Sequence, residues 1–432
     1  MLIISILFPL DRIIAEFFYL FIILSNRLIR GFGYKVKFGI INSSAIGHNI
    51  VEIQNFLHYE YEAKTFYFLI YGTKALSSHP KAHQNKFLYK KIKKSLPSRV
   101  QLLTNNIFLS RIYWDFYYDP TKTIYKKSRL AIDFMLKPGT SPTFVFDPLG
   151  VLENQKKSQL AFSNDEEKVG KAYLSKLGIA KSEYYICVNV RNTYYSNLIG
   201  LDSQESKSIR NANIQNYFPA INFFLLNNIK VILVGDYSPN LIIPKNILEN
   251  DNFVYYSQHT DRNDFFDLYL IANARLLFGT NTGLFEAATL DSSINHFYGY
   301  TDSIGIHQYV SHRRNAFLFP KTLINNGKTI SIEDHLVYSR EIDIYGKLGH
   351  IQIFDNTSED ILFFAQEMLL RSQGQYIEDK IIEELEKDCI RRLNQIFESA
   401  SFDKLRSEGL FSIGLFNSRI SHAYLRKTIA TK

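Results

Sequence analysis

The residues best suited to chemistry in this chain lie where apolar runs stop. Leu276-Leu277-Phe278 runs into Gly279-Thr280-Asn281-Thr282-Gly283 and then at once into LFEAATL, with Glu286 near its start. A strand that ends in small polar residues and restarts as a helix presents backbone N–H groups at a helix N-terminus. Their unpaired donors and the peptide dipole favour an anion there. Thr280 and Thr282 add hydroxyl donors, Asn281 adds an amide, and Gly283 removes a side chain that would block approach. Glu286 suits either a ribose hydroxyl or simply the positive end of the helix dipole. The GK[ST] ending of a Walker loop is absent, so the pattern fits a diphosphate pinned between a helix end and a cation.

Candidate cations sit at other strand ends. YYICVNV (184–190) stops at Arg191-Asn192. A guanidinium at the end of a buried strand can grip a phosphate with two parallel hydrogen bonds, or close a structural ion pair. Arg210-Asn211, just before the next helical pattern, admits the same two roles. KVILV ends in Gly235-Asp236, where glycine lets a backbone approach closely and the carboxylate reaches towards ribose hydroxyls. His48 follows the strand pattern KVKFGII at a strand-to-helix junction. There it can take a proton from a hydroxyl near neutral pH, or cap its own helix. No DxD motif and no Cys/His spacing for a metal is present, so the expected scheme uses no metal and no cofactor.

Strand and helix patterns must alternate to place these residues together. KVKFGII, TFYFLIYG and FVFD (144–147) read as strands, with GHNIVEIQNFL and NKFLYKKIKKSL as helices between. A polar stretch at 148–163 reads as a linker, after which Asn164 caps the helix DEEKVGKAYLSKLGI. YYICVNV, KVILVGD, RLLFG and INHFYG then alternate with the helices ANIQNYFPAINFFLLNN, RNDFFDLYLIANA and LFEAATL; Pro219 marks a kink or late start. TSEDILFFAQEMLL and EDKIIEELEKDCIRRLNQIFES follow as helices with no strand between them. The expected fold class is α/β, with two facing Rossmann-like parallel-sheet domains and a C-terminal helical tail. The expected divisions are an amphipathic segment 1–34, domains 35–160 and 161–375, and a tail 376–432. Sheets of this kind bind ligands at the carboxyl ends of their strands.

Composition limits the partners. At 432 residues the chain exceeds one ordinary core, and 46% apolar with 21% charged residues marks it as globular. Its two cysteines build no disulfide framework, and Cys187, inside YYICVNV, reads as a small buried residue. The net charge of +8 is uneven: residues 1–160 hold 22 Lys and Arg against 10 Asp and Glu, and the remainder is net −4. The N-terminal stretch is apolar but interrupted by Asp11, Arg12 and Glu16, too short a clean run to span a bilayer. Wound as a helix it suits the bilayer interface, with Arg27 and Arg30 on its polar stripe. In HPKAHQNKFLYKKIKKSLPSR (79–99), Lys90, Lys91, Lys93 and Lys94 lie beside an apolar face of Phe87, Leu88 and Ile92. Together these predict contact with an anionic membrane surface. No nucleic-acid motif accompanies the charge.

Taken in order, these pieces resemble a family of bacterial surface-polysaccharide glycosyltransferases of the GT-B type, distantly like fucosyltransferases. The likeness runs through GHNIVEIQNFL, the strand end Val190-Arg191-Asn192, RNANIQNY, the Gly-Asp strand, DFFDLYLIANARLLFG, the Gly-Thr-Asn-Thr-Gly loop, FLFPK, SIEDH and NTSEDILFFAQEML, over roughly residues 35–375. It departs at LVGD, which lacks the arginine usual before the glycine, and at LDSSI, which lacks a proline. The resemblance implies that Arg191 and residues 280–283 hold the diphosphate of a nucleotide-sugar donor. The basic first part of the chain would then hold a glycan or lipid-linked glycan acceptor at the cytoplasmic, inner face of the cell membrane. Two other classes remain open: a different nucleotide-sugar enzyme such as an epimerase, and a non-catalytic membrane-peripheral nucleotide-sugar-binding protein.

Overall fold

A computed structural model describes residues 24, 27–42, 46–57, 63–72, 85–104, 158–180, 184–198, 211–291, 293–301, 313, 315–332, 334–335, 351–398 and 417–430. The predicted strand 144–147, the first part of the N-terminal helix and Arg210 lie outside them. The chain divides into two compact units, Met1–Val145 and Phe146–Lys432.

In the first unit β1 (Lys35–Asn42), β2 (Thr65–Gly72) and β3 (Val100–Thr104) form a parallel sheet in that order. β3 was not foreseen, because RVQLL is short and follows Pro97, whose carbonyl accepts from Val100 N–H in a tight turn. Helix Ile46–Leu57 buries Ile50, Val51, Ile53 and Phe56, and Phe56 meets Tyr67 edge-on at 5.9 Å. Asn49 Nδ2 donates to the Tyr71 hydroxyl at 2.6 Å; burial pushes that hydroxyl up to about 12. Helix Lys86–Ser95 is capped by Asn85, whose Oδ1 accepts from Leu88 N–H at 2.7 Å. Leu88 and Ile92 are fully buried in this unit. The apolar face expected to meet a membrane beside Lys90, Lys91, Lys93 and Lys94 is therefore core, because a three-stranded sheet needs a helix to cover it.

The second unit holds a seven-stranded sheet of β4 (Tyr185–Asn189), β5 (Lys230–Leu233), β6 (Phe253–Tyr255), β7 (Leu276–Thr280), β8 (Phe297–Thr301), β9 (Ala316–Phe319) and β13 (Arg419–Ile420). Its order is β13-β9-β8-β7-β4-β5-β6, with every neighbouring pair parallel. An α/β protein with a large parallel sheet is what the alternation predicted. β4 and β5 are buried along their whole length, as a sheet covered on both faces requires. Cys187 lies there with no exposure, and burial pushes its thiol far up. β10 (Thr322–Asn325), β11 (Lys328–Thr329) and β12 (Ile351–Phe354) make a separate antiparallel sheet.

Local chemistry sets the helix ends. Ser163, one residue before the predicted Asn164, caps helix Asn164–Lys176 in a capping box with Glu166. Pro219 stands in the first turn of helix Phe218–Leu226, after a 3₁₀ turn at Ile214–Tyr217, which is the late start and not the kink. Helix Ser358–Ser372 packs beside Phe218–Leu226, and its Phe364 touches Phe278 and Phe319 with centroids 5.6 and 5.4 Å away. Helix Lys380–Glu398 is followed by β13, which joins the main sheet, and by helix His422–Ala430.

Candidate anion-binding site

β4 and β7 are neighbours in the sheet, but the chain winds from β4 to β5 and β6 on one side and from β7 to β8 and β9 on the other. Their carboxyl ends therefore border the crevice where strand order reverses, the place at which such sheets bind ligands. Asn189 pairs in register with Gly279. The two predicted segments, Arg191-Asn192 and Gly279–Gly283, leave the sheet side by side from this point. Arg191 N–H donates to Thr280 Oγ1 at 2.6 Å, which ties one to the other.

Both glycines are demanded by close packing. Gly279 has φ +140°, and a Cβ there would lie 1.9 Å from the Asn189 carbonyl oxygen. Gly235 has φ +103°, and a Cβ would lie 2.3 Å from Asn189 Nδ2. That amide donates to Val234 O at 2.9 Å. Asn189 is thus the post around which the ends of β4, β5 and β7 are set, and sequence reading missed it. Its signal was a lone amide inside an otherwise apolar strand. Val190 N–H donates to the hydroxyl of buried Tyr237 at 3.0 Å, and Asn192 Nδ2 donates to Asp236 O at 3.0 Å. Ala212 N–H donates to Arg191 O at 2.9 Å, and Lys321 Nζ donates to Asn211 O at 2.8 Å. Lys321, from FLFPK, so straps the segment that follows Arg210 onto the site.

Several expected roles change. Thr280 is 1% exposed and its hydroxyl oxygen accepts from Arg191, so it positions the loop instead of reaching a ligand. Thr282 caps the next helix, its Oγ1 accepting from Leu284 N–H at 3.3 Å. That helix, Gly283–Leu290, is wound as 3₁₀, with Thr289 Oγ1 donating to Glu286 O at 2.7 Å. Thr282 and Gly283 are half-buried and Asn281 is 9% exposed. Arg191 and Asn192 are likewise half-buried at the mouth.

The two acids expected at a ribose have protein partners. Asp236 Oδ1 accepts from Arg262 Nη1 at 2.7 Å, and Arg262 Nε also donates to Asp267 at 3.3 Å while lying 5.9 Å over the Tyr256 ring. Burial pulls the Arg262 guanidinium down, but Asp236 and Asp267 outweigh it and hold its pKa above the usual value. Burial raises Asp267 against the pull of Arg262. Glu286, 2% exposed, accepts from Arg313 Nη2, and Arg313 Nη1 donates to the Tyr298 hydroxyl at 2.7 Å. Neither arginine was foreseen, since Arg262 and Arg313 lie in polar stretches with no local pattern.

Glu286→Gln tests this placement directly. It leaves a buried guanidinium without its anion, so the carboxyl-terminal unit should lose ~2–3 kcal/mol by chemical denaturation. Affinity for a nucleotide in the folded protein should not change. Weakened binding with unchanged stability would instead make Glu286 the ribose ligand.

His48 lies in the first turn of helix Ile46–Leu57, which follows the carboxyl end of β1 in the first unit. Lys90, Lys93 and Lys94 are exposed, and Lys91 Nζ lies 5.4 Å over the Phe87 ring. Arg27 and Arg30 are exposed on helical residues. Among the described residues no group of acids, histidines or cysteines could hold a metal, and no helix is long and apolar enough to cross a membrane.

No protein-family model matches the chain, and no curated protein matches its sequence. Among solved structures it is similar to a glycosyl transferase family 9 protein of Veillonella parvula, at 11% identity and a TM-score of 0.40, over 78% of this chain and 98% of that one. It is also similar to the ADP-heptose lps heptosyltransferase II of E. coli, at 13% identity and a TM-score of 0.40, over 78% and 99%. An E. coli heptosyltransferase with ADP aligns at 11% identity and a TM-score of 0.30, over 72% and 98%.

Proposed function

We propose that the chain is a glycosyltransferase that moves a sugar from a nucleotide-sugar donor to a lipid-linked glycan in surface polysaccharide synthesis. What supports the reading is one observation: Arg191 and the Gly279–Gly283 loop leave neighbouring strands together at the switch point of the large sheet. A diphosphate there would meet a guanidinium and the amino end of a helix, which stabilise the charge that develops on it as the glycosidic bond breaks. An acceptor hydroxyl forms the new bond to the anomeric carbon, and its proton passes to a general base, the role for which the sequence offers His48. The electron pair of the broken carbon–oxygen bond leaves with the nucleoside diphosphate. The arginine and the amide dipoles supply the charge that a metal supplies in other schemes. Asn192 and Gly235 border the donor; Asp236 and Glu286 act through the arginines they hold. The protein works in the cytoplasm, peripheral to the inner face of the cell membrane.

A thermal-shift screen of UDP, GDP, ADP and CMP tests the donor site, since a ligand at 100 times its Kd stabilises the folded form by about 2.7 kcal/mol. One diphosphate should raise the melting temperature by a few degrees, and no response to any of them would end the proposal. Turnover of a nucleotide sugar without an acceptor would point to an epimerase instead. Tight binding with no transfer across an acceptor panel would point to a non-catalytic binder.

A further inference from the structure

Helix Asn164–Lys176 and helix Asp264–Asn273 pack against each other in the second unit. Gly170 lets them close: a Cβ there would lie 2.2 Å from the Tyr269 ring, and the Tyr269 hydroxyl donates to Glu167 at 3.0 Å. Nearby, Tyr173 and Phe266 stack with ring centroids 3.6 Å apart. Beside that pair the two helices and residues 260–263 leave a cleft of about 520 Å³. Sites for small ligands measure about 300–1,000 Å³.

The apolar lining is Val169 and Ala172, three residues apart and so on one helix face, together with Phe266. Val169 is 53% exposed, and one face of the Phe266 ring is taken by Tyr173. The polar lining is Lys176, Thr260, Asp261 and Arg262. Lys176 Nζ donates to Asp261 Oδ2, and Arg262 is held by Asp236 and Asp267. Each of these two cations already has an acid beside it, so the lining attracts no ion of either sign. The Arg262 bonds use Nη1 and Nε. Asp261 Oδ1, Arg262 Nη2 and the exposed Thr260 hydroxyl stand outside all these bonds: an acceptor, a donor and a group that does both.

We propose that this cleft binds a neutral pyranose unit of the glycan, at a saccharide site apart from the donor crevice. A pyranose has aliphatic C–H faces and a girdle of hydroxyls, each both donor and acceptor, and the lining answers both. A nucleobase binds by stacking on an open ring face, whereas here a ring face is spent on Tyr173 and the rest of the apolar lining is aliphatic. Val169, Ala172, Lys176 and Thr260 are exposed, so the cleft opens to solvent and a longer glycan can lie in it without threading. The inference rests on the glycosyltransferase reading, which supplies the glycan, and adds a place where one unit of it is held. Arg262 joins the cleft to the crevice, because it donates to Asp236, whose carbonyl accepts from Asn192 beside Arg191.

Saturation-transfer NMR of the full chain tests this, with the methyl pyranosides of glucose, galactose, mannose and N-acetylglucosamine, and uridine and adenosine as competitors. At least one pyranoside should bind, and neither nucleoside should displace it. Val169→Arg puts a long unmatched cation at the cleft and should weaken the sugar at least about tenfold. Its position is an exposed helical one where arginine is the better helix former, so the fold should stand. Thr260→Ala removes one hydroxyl and should weaken the sugar about two- to tenfold. Nucleotide binding, followed by thermal shift on the same proteins, should not change. No bound pyranoside, or one that Val169→Arg binds as well as the wild type does, overturns the proposal; so does displacement by a nucleoside. Loss of the sugar in Val169→Arg, in a protein that binds no nucleotide, upholds the cleft and ends the donor reading.

Discussion

Arg191→Ala should weaken binding of the recognised nucleoside diphosphate by roughly 2–4 kcal/mol, about 30- to 1,000-fold, when titrated by calorimetry. The magnitude follows from removing a guanidinium that would face two phosphates in a half-buried site, where bulk water screens little. The fold should survive, because the contact from the Arg191 backbone N–H to Thr280 is untouched by the substitution. Thr280→Val makes the opposite cut: the guanidinium stays and the strand-to-loop tie is lost. It should reduce affinity less and stability more. If Arg191→Ala retains full affinity, the diphosphate lies elsewhere and the assignment of this crevice fails.

The second large effect concerns the end of the chain. Glu367, 4% exposed, accepts from Arg371 Nε at 2.7 Å, from the Ser421 hydroxyl at 2.8 Å, and from the N–H groups of His422 and Ala423 at 3.1 and 2.9 Å. Arg371 also pairs with Glu378, and Arg419 joins Glu378 to Glu386, whose carboxylate accepts from His422 Nε2 and Ile420 N–H. One network therefore fastens helices Ser358–Ser372 and Lys380–Glu398 to β13 and the last helix. Glu367→Ala takes from buried Arg371 one of its two carboxylate partners and leaves the N–H groups of His422 and Ala423 without their acceptor, which should cost about 3–5 kcal/mol. Hydrogen exchange of the amides in Lys380–Glu398 and His422–Ala430 should rise sharply in that variant; unchanged exchange would mean the fastening is made by apolar contact alone.

The same network has a definite pH response. Burial raises the Glu378 carboxyl, but hydrogen bonds and charge from Arg371 and Arg419 outweigh it and hold its pKa at about 2, below the ordinary 4.5. Burial likewise raises Glu386, and His422 and Arg419 more than reverse it. A folded-state pKa below the unfolded one contributes stability that is complete above about 4.5 and is lost as the pH falls towards 2. Wild type and Glu378→Gln should therefore differ in exchange at neutral pH and converge as the pH nears 2. A constant difference across that range would remove Glu378 from the network.

Much of the architecture was legible in the chain because it rests on local rules. Period-2 and period-3.6 apolar patterns marked β1, β2, β4, β5, β7 and β8 and most of the helices between them. The strand-end loop at Gly279 and the arginine at 191 were visible because both stand directly after a buried run. The short strands were not. β6 and β13 have three and two residues, too few for a pattern to show. The hairpin between β10 and β11 could have been read from Asn326-Gly327, which take φ 49° and 76°, the left-handed pair that a two-residue turn requires.

What the amino-acid order determined alone was therefore the kind of layers and the residues available at strand ends. Which of those residues meet was decided by strand order, and no local pattern encodes strand order. Tertiary packing brought Arg262 to Asp236 and Arg313 to Glu286, taking for the protein two acids that had looked free for a sugar. It spent Leu88 and Ile92 on a core, and left Leu24, Leu28 and Phe32 exposed. The physical reason is common to all of these: a charge or an apolar face is committed by whatever the fold places within a few ångströms of it, and those neighbours come from distant parts of the chain.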